Sequence, residues 1–220
     1  MKKLFDKLGI KPKNINLYNT AFSHSSYTNE HNIKDSYERL EFLGDAVVDL
    51  VIADYFYNNR HDKEGKMTKE RASYVCENAL YQYSLDYHLV DYIKLGHGEK
   101  ISGYIKKAIV ADVFEAFIAA IYLDLGYSEA RRVVLDIMVP YIEDDNIEFF
   151  SDYKSALQEY VQTEQRSLVY DLIDEEGPAH DRIFTIEVKV DDIVYGRGVA
   201  SSKKEAEQEA AHDALNKLAK

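Results

Sequence analysis

Apolar residues in the stretch 36–57, SYERLEFLGDAVVDLVIADYFY, fall at Leu40, Leu43, Val47, Val48, Val51 and Ile52, the spacing of one face of an α-helix. A second apolar helix is expected over about 105–125, with Gly126 as its C-terminal cap. Shorter helices are expected over 3–9, ended by Gly9 and Pro12, and over 16–29, running into a polar loop. Residues 58–66 read as a charged loop, 67–89 as one or two helices and 95–104 as a Gly-punctuated loop. A helix over 128–139 is expected to stop at Pro140. No strand pattern occurs in these first 140 residues, so this part is expected to be all-α.

The period changes after the acidic connection 141–151, YIEDDNIEFFS. Asp152 can cap a helix reaching about residue 164, and 169–174, VYDLID, is a candidate strand before the turn GPAHD. Phe184, Ile186, Val188 and Val190 alternate with Thr185, Glu187 and Lys189, which is the period of a half-buried strand. Asp191-Asp192 then separates it from IVYGRGVA as a hairpin turn would. Ser202 and Glu205 form a capping box, and Ala206, Ala210, Ala214 and Leu218 give the following helix one apolar stripe. The fold class expected is an all-α N-terminal domain over 1–145, a linker over 146–151, and a small α+β (α-β-β-β-α) domain over 152–220.

Composition narrows the setting. With 220 residues and 46% hydrophobic content the chain can bury a core. Its one cysteine, Cys76, excludes an internal disulfide framework and fits a reducing, cytoplasmic setting. The N-terminal segment has no apolar core of a signal peptide, and no apolar run approaches the ~18 residues of a membrane span, so no membrane is expected as a partner. The net charge of −12 speaks against nucleic acid, although binding depends on local patches rather than on the total.

The acidic residues carry the chemistry. Glu38, Glu41 and Asp45 stand at i, i+3 and i+7 on the first apolar helix, so they stack along one stripe. Like charges so placed repel, and a divalent cation would compensate them. The spacing alone also fits a solvated helix face. Gly44, directly before Asp45, suggests close packing or close approach of a ligand. Asp112 and Glu115 repeat the i, i+3 arrangement on the second apolar helix, either as a second half of the same site or as surface residues. Oxygen donors without His or Cys favour Mg²⁺ or Mn²⁺ over zinc. His24 with Ser25 and Ser26 has no third partner for nucleophilic chemistry and fits capping or packing; Cys76 lies mid-pattern on an expected helix. Asp49, Asp54 and Asp124 are expected to face solvent or cap helices.

ERLEFLGDAV at 38–47, VADVFEAFIAAIYLDLG at 110–126, FSHSSYTNE at 22–30 and LGHGE at 95–99 together resemble the ribonuclease III family. The last 70 residues, with DYKSALQEYVQ, GPAHD and SSKKEAEQEAA, resemble a double-stranded RNA-binding domain. The resemblance implies an endoribonuclease that cuts double-stranded RNA by metal-assisted hydrolysis, leaving 5′-phosphate and 3′-hydroxyl ends. Ribosomal RNA precursors and some messenger RNAs are its expected substrates. It places the metal ligands for Mg²⁺, with Mn²⁺ as a substitute, on Glu41, Asp45, Asp112 and Glu115, with Glu38 supporting the site and Glu64 as a further acid in the following loop. Phe42 looks like a plug into the other subunit of a homodimer, and no nucleotide cofactor is implied. Contacts to RNA are implied for Gln158, Glu159, His180, Ser202, Lys203 and Lys204. Between 100 and 108 the chain departs from the family's usual Gly- and Arg-rich pattern, which bears on loop contacts to RNA but not on the carboxylates. Residues 151–220 hold 15 acidic against 9 basic side chains, so RNA binding must come from a local arrangement. The alternative is a non-cleaving double-stranded-RNA-binding regulator on the same two domains, which would have no need of four carboxylates.

Overall fold

A computed structural model describes residues 1–100, 105–144, 147, 149, 153–178 and 182–218. The chain divides into two units, Met1–Phe150 and Ser151–Lys220. The first contains helices α1 (Lys2–Leu8), α2 (Ile15–Ala21), α3 (Ser25–Glu30), α4 (Glu38–Asn59), α5 (Glu64–Tyr74), α6 (Glu77–Asp86), α7 (His97–Lys100), α8 (Lys107–Leu125) and α9 (Tyr127–Ile142). A short 3₁₀ turn, Leu89–Tyr92, follows α6. Among the described residues this unit has no strand longer than the isolated bridge between Ser23 and Lys94.

Helix α8 is the core. Val113, Phe114, Ala116, Phe117, Ile118, Ala119, Ala120 and Ile121 are all buried, because a helix apolar nearly all round has to be enclosed. Helix α4 packs along it through Leu40, Gly44, Val47, Val48, Val51, Ile52 and Phe56. The alanines and Gly44 let the two axes approach; a Cβ at position 44 would overlap the main-chain carbonyl of Glu115. The C-terminal end of α8 is tied to the N-terminus of α2. Asp124 Oδ2 accepts from the Lys13 N–H at 2.8 Å and from the Tyr18 hydroxyl at 3.0 Å, and its Oδ1 accepts from the Asn14 N–H at 2.8 Å.

Several local expectations need correction. The charged loop expected over 58–66 shrinks to 60–63, since α4 runs to Asn59 and α5 starts at Glu64, and α7 lies within the expected loop 95–104. Residues 16–29 form two helices, because Phe22 to His24 leave the helix to pair with Lys94. Pro140 does not stop α9, which runs on to Ile142. An internal proline costs about 3 kcal/mol; burial of Ile137, Met138 and Ile142 offsets it, and the Glu143 N–H still reaches the Val139 carbonyl at 2.9 Å. Cys76 is not within a helix. It precedes α6, and its Sγ reaches the Ser73 carbonyl at 3.2 Å.

The second unit has α10 (Tyr153–Thr163), β1 (Leu168–Glu176), β2 (Ile183–Val190), β3 (Ile193–Ala200) and α11 (Lys203–Leu218). The strands form one antiparallel sheet in the order β1-β2-β3. Asp191 and Asp192 turn the β2–β3 hairpin with φ of 49° and 63°. Two positive φ values give the twist that a two-residue hairpin turn needs, and Val190 pairs with Ile193 across it. Ile186, Val188 and Val190 pack with Leu157 and Val161 of α10 and with Ala206, Ala210, Ala211 and Ala214 of α11. The alanine stripe lets α11 lie so close on β3 that a Cβ at Gly196 or Gly198 would overlap the carbonyl of Ala210 or Ala206. The expected cap at Asp152 lies outside the described residues, as does most of 146–151. Phe149 packs within the first unit, its ring 5.4 Å from that of Tyr83.

Candidate active site and nucleic-acid surface

Both pairs of carboxylates sit where α4 and α8 touch. Gly44 lies against the Glu115 main chain, so its neighbours Glu41 and Asp45 on α4 come beside Asp112 and Glu115 on α8. Asp45 is exposed, and Glu41, Asp112 and Glu115 are half-buried. Burial pushes the Glu115 carboxyl up to about 8, and the charges of Asp45, Glu41, Asp112 and Asp49 add to the shift. Burial also raises Glu41, reinforced by Asp112, Glu38 and Asp45. It raises Asp112 as well, partly countered by a hydrogen bond from Tyr37. Glu41, Asp112 and Glu115 are thus crowded and partly desolvated beside Asp45, which disfavours the charged forms of these three.

Among the described residues no three His, Cys, Asp or Glu side chains close into a cage. The set fits a hard cation held in the open manner of Mg²⁺, which keeps several waters and takes one or two carboxylates directly. All donors are oxygens, and a dication in the patch would offset the neighbouring charges that add to the burial of Glu115.

The remaining expected residues fall as follows. Glu38 opens α4, is exposed, and accepts from the Ser36 hydroxyl at 2.9 Å. Glu64 opens α5 and accepts from the Thr68 hydroxyl at 3.0 Å. Phe42 is 83% exposed and shares a side of α4 with Leu50 at 56% and Tyr57 at 79%. Three large apolar side chains thus stand in solvent on one side of α4. His24 caps α3, its Nδ1 accepting from the Ser26 N–H at 3.1 Å.

The expectation that Asp49, Asp54 and Asp124 face solvent or cap helices holds for Asp124, which accepts the Lys13 and Asn14 N–H groups at the start of α2, and not for Asp49. Asp49 is half-buried, is coupled to Glu115, and has the Arg71 guanidinium 3.8 Å away. Its place was readable, since Glu41, Asp45 and Asp49 repeat at i, i+4 and i+8. Asp54 pairs with Arg131 at 3.1 Å. Tyr37 was also missed. It is buried and donates to Asp112 Oδ2 at 3.1 Å. The two motifs around residues 22–30 and 95–99 lie against each other: Lys94 N–H reaches the Phe22 carbonyl at 2.8 Å, and Gly96 N–H reaches Ser26 Oγ at 2.9 Å.

In the second unit Gln158 and Glu159 are exposed on α10. Ser202 caps α11, accepting from the Glu205 N–H at 3.2 Å, and Lys203 and Lys204 form its first turn. Lys203 leans on β1, with Nζ 3.7 Å from Glu175. Lys154, Arg166, Arg182, Lys189 and Lys217 also face acidic partners, whereas Lys204 and Arg197 make no ion pair among the described residues. His180 lies outside the described residues, as do 101–104 of the segment that departs from the family pattern.

Residues 14–142 match the Ribonuclease-III-like family and residues 153–218 the double-stranded RNA binding motif. The chain is 46% identical to Ribonuclease 3 of Onion yellows phytoplasma, over all of this chain and 92% of that protein. It is 44% identical to Ribonuclease 3 of Listeria monocytogenes, over 99% of this chain and 97% of that protein. Its fold is similar to the nuclease domain of ribonuclease III from Campylobacter jejuni, at TM-score 0.58 and 35% identity over 63% of this chain and 96% of that one.

Proposed function

The chain belongs to the ribonuclease III family of double-stranded-RNA-specific endoribonucleases, and we propose that Glu41, Asp45, Asp112 and Glu115 hold its divalent cations. Mg²⁺ is the natural occupant and Mn²⁺ a substitute. The observation that carries this reading is the half-buried Glu115 beside three further acids on two helices that Gly44 brings together. When bound, the cation supplies a water of lowered pKa and neutralises charge on the phosphodiester. Helices α4 and α8 fix the ligands on rigid backbone, and Glu115 would hold the cation in its deprotonated form. Glu38 supports the site from the first turn of α4, and Glu64 from that of α5.

Cleavage leaves 5′-phosphate and 3′-hydroxyl ends, in the processing of ribosomal RNA precursors and some messenger RNAs and in decay. The C-terminal unit grips the duplex through Gln158, Glu159, His180, Ser202, Lys203 and Lys204, reading shape and 2′-hydroxyls across minor grooves. The N-terminus of α11 adds main-chain N–H groups that favour phosphate. Lys204 carries more of the phosphate contact than Lys203, which Glu175 holds back.

The enzyme works as a homodimer with Phe42, Leu50 and Tyr57 at the contact. A relative's nuclease domain, from Campylobacter jejuni, has a region involved in dimer formation. Phe42 adjoins Glu41, so the partner subunit would border the carboxylates, and two-fold symmetry suits two antiparallel RNA strands. Among the described residues no helix is long and apolar enough to cross a membrane, and we place the enzyme in the cytoplasm. A non-cleaving regulator would leave the paired carboxylates without a role. The test is a labelled perfect duplex incubated with and without Mg²⁺, with product ends mapped. Cuts on both strands that need the metal are expected; binding without cleavage at any Mg²⁺ concentration would overturn the reading.

A further inference from the structure

We propose that Tyr37 is a positioning residue for Asp112, and that it locks the two carboxylate-bearing helices into one site. The proposal rests on the metal-holding role of Asp112 given above. Tyr37 immediately precedes α4 and is 4% exposed. Its carbonyl accepts from the N–H groups of Leu40 at 2.8 Å and Glu41 at 2.9 Å, so its main chain starts the helix that carries Glu41 and Asp45. Its side chain crosses to α8, where the hydroxyl donates to Asp112 Oδ2 at 3.1 Å. Its own N–H donates to the Ser23 carbonyl at 2.9 Å, and its ring lies 5.7 Å from that of His24. One residue therefore joins α4, α8 and the segment around Ser23 that pairs with Lys94.

A buried phenol needs an acceptor, and any buried carbonyl would satisfy that need. Here the acceptor is one oxygen of a carboxylate in the cluster. The bond to Oδ2 restrains rotation of the Asp112 carboxylate, and its remaining lone pairs would be the ones available to a cation. Hydrogen-bonded ligands of this kind hold metal more tightly than free ones, and losing the outer partner typically weakens binding or activity by about 10- to 100-fold.

Tyr37→Phe keeps the ring and removes only the hydroxyl. Three measurements on the full chain test it: Mn²⁺ binding to the RNA-free protein by calorimetry, the Mg²⁺ concentration for half-maximal single-turnover cleavage, and duplex binding in EDTA. The expected result is about tenfold weaker Mn²⁺ binding and a matching rise in the Mg²⁺ requirement. The cleavage rate should recover at high metal, with duplex binding unchanged. A hydroxyl that merely satisfies its own burial predicts a shifted melting temperature with the metal dependence intact, and that result would overturn the proposal. Asp112→Asn supplies the control. If it leaves Mn²⁺ binding unaltered, the metal assignment of Asp112 fails. If it weakens binding but Tyr37→Phe does not, or if the two losses multiply in the double variant, only the role of Tyr37 fails. The expected double variant binds Mn²⁺ no more weakly than Asp112→Asn alone.

Discussion

Glu115→Gln is expected to make the metal-free protein more stable at pH 8 and no more stable at pH 5. Burial and four neighbouring acids raise the folded carboxyl from 4.5 to about 8. Between those values the unfolded Glu115 is ionised while the folded one keeps its proton. The folded state then binds more protons, so stability falls as pH rises, by up to about 1.4 kcal/mol per pH unit. The penalty is absent below the unfolded value and complete above the folded one. Taken at face value the full window is worth about 5 kcal/mol. Water reaches this half-buried group and screens it, which leaves about 1–3 kcal/mol. Gln keeps the size and cannot ionise, so the variant escapes this penalty. For a chain of this length each kcal/mol moves the melting temperature by about 2–4 °C, which gives about 2–12 °C at pH 8. The assay is thermal unfolding of parent and variant in EDTA across pH 5 to 8, followed by addition of Mg²⁺. Metal should stabilise the parent and do little for the variant. A difference in melting temperature independent of pH, or a variant less stable at pH 8, would refute the argument.

Gly44→Ala forces a methyl group against the Glu115 carbonyl, so α4 and α8 must part; a loss of about 1–3 kcal/mol on thermal unfolding is expected together with weaker Mn²⁺ binding, and an unchanged protein would contradict the close approach. Phe42→Ala should weaken self-association by about 2 kcal/mol or more, read by sedimentation, and an equally tight dimer would move the interface elsewhere. Lys204→Ala should lower the salt slope of duplex binding by about 0.7–0.9, and Lys203→Ala by less because Glu175 already holds that cation; equal effects would contradict the pairing.

Where a local rule and burial agree, the chain announced its own structure. The Asp191-Asp192 turn, the Ser202 cap and the alanine stripe of α11 each combine turn or cap chemistry with an apolar period, and each stands where that combination put it. The rules fail where tertiary packing overrides them. Pro140 continues a helix because its neighbours are buried, and Cys76, expected within a helix, falls in the gap between two of them. The four acids could be named from spacing and family likeness, but spacing could not tell whether the two helices meet. Gly44 decides that, through an approach that only the folded pair displays. Tyr37 went unnoticed because its contact to Asp112 spans 75 positions in the chain. Spacing cannot tell Asp49 from a solvated or capping acid, because a carboxylate's burial depends on what covers it, here α5 with Arg71.

The central claim is that Glu41, Asp45, Asp112 and Glu115 hold the cations that cut duplex RNA. Its most direct test follows single-turnover cleavage of a labelled duplex against Mg²⁺ for parent and Glu115→Gln, with RNA binding measured on the same preparations. The two proteins should bind duplex RNA with nearly equal affinity. The variant should cut very slowly at low Mg²⁺ and recover part of its rate at high Mg²⁺ or with Mn²⁺. Cleavage by the variant at the parental rate in low Mg²⁺ would contradict the claim.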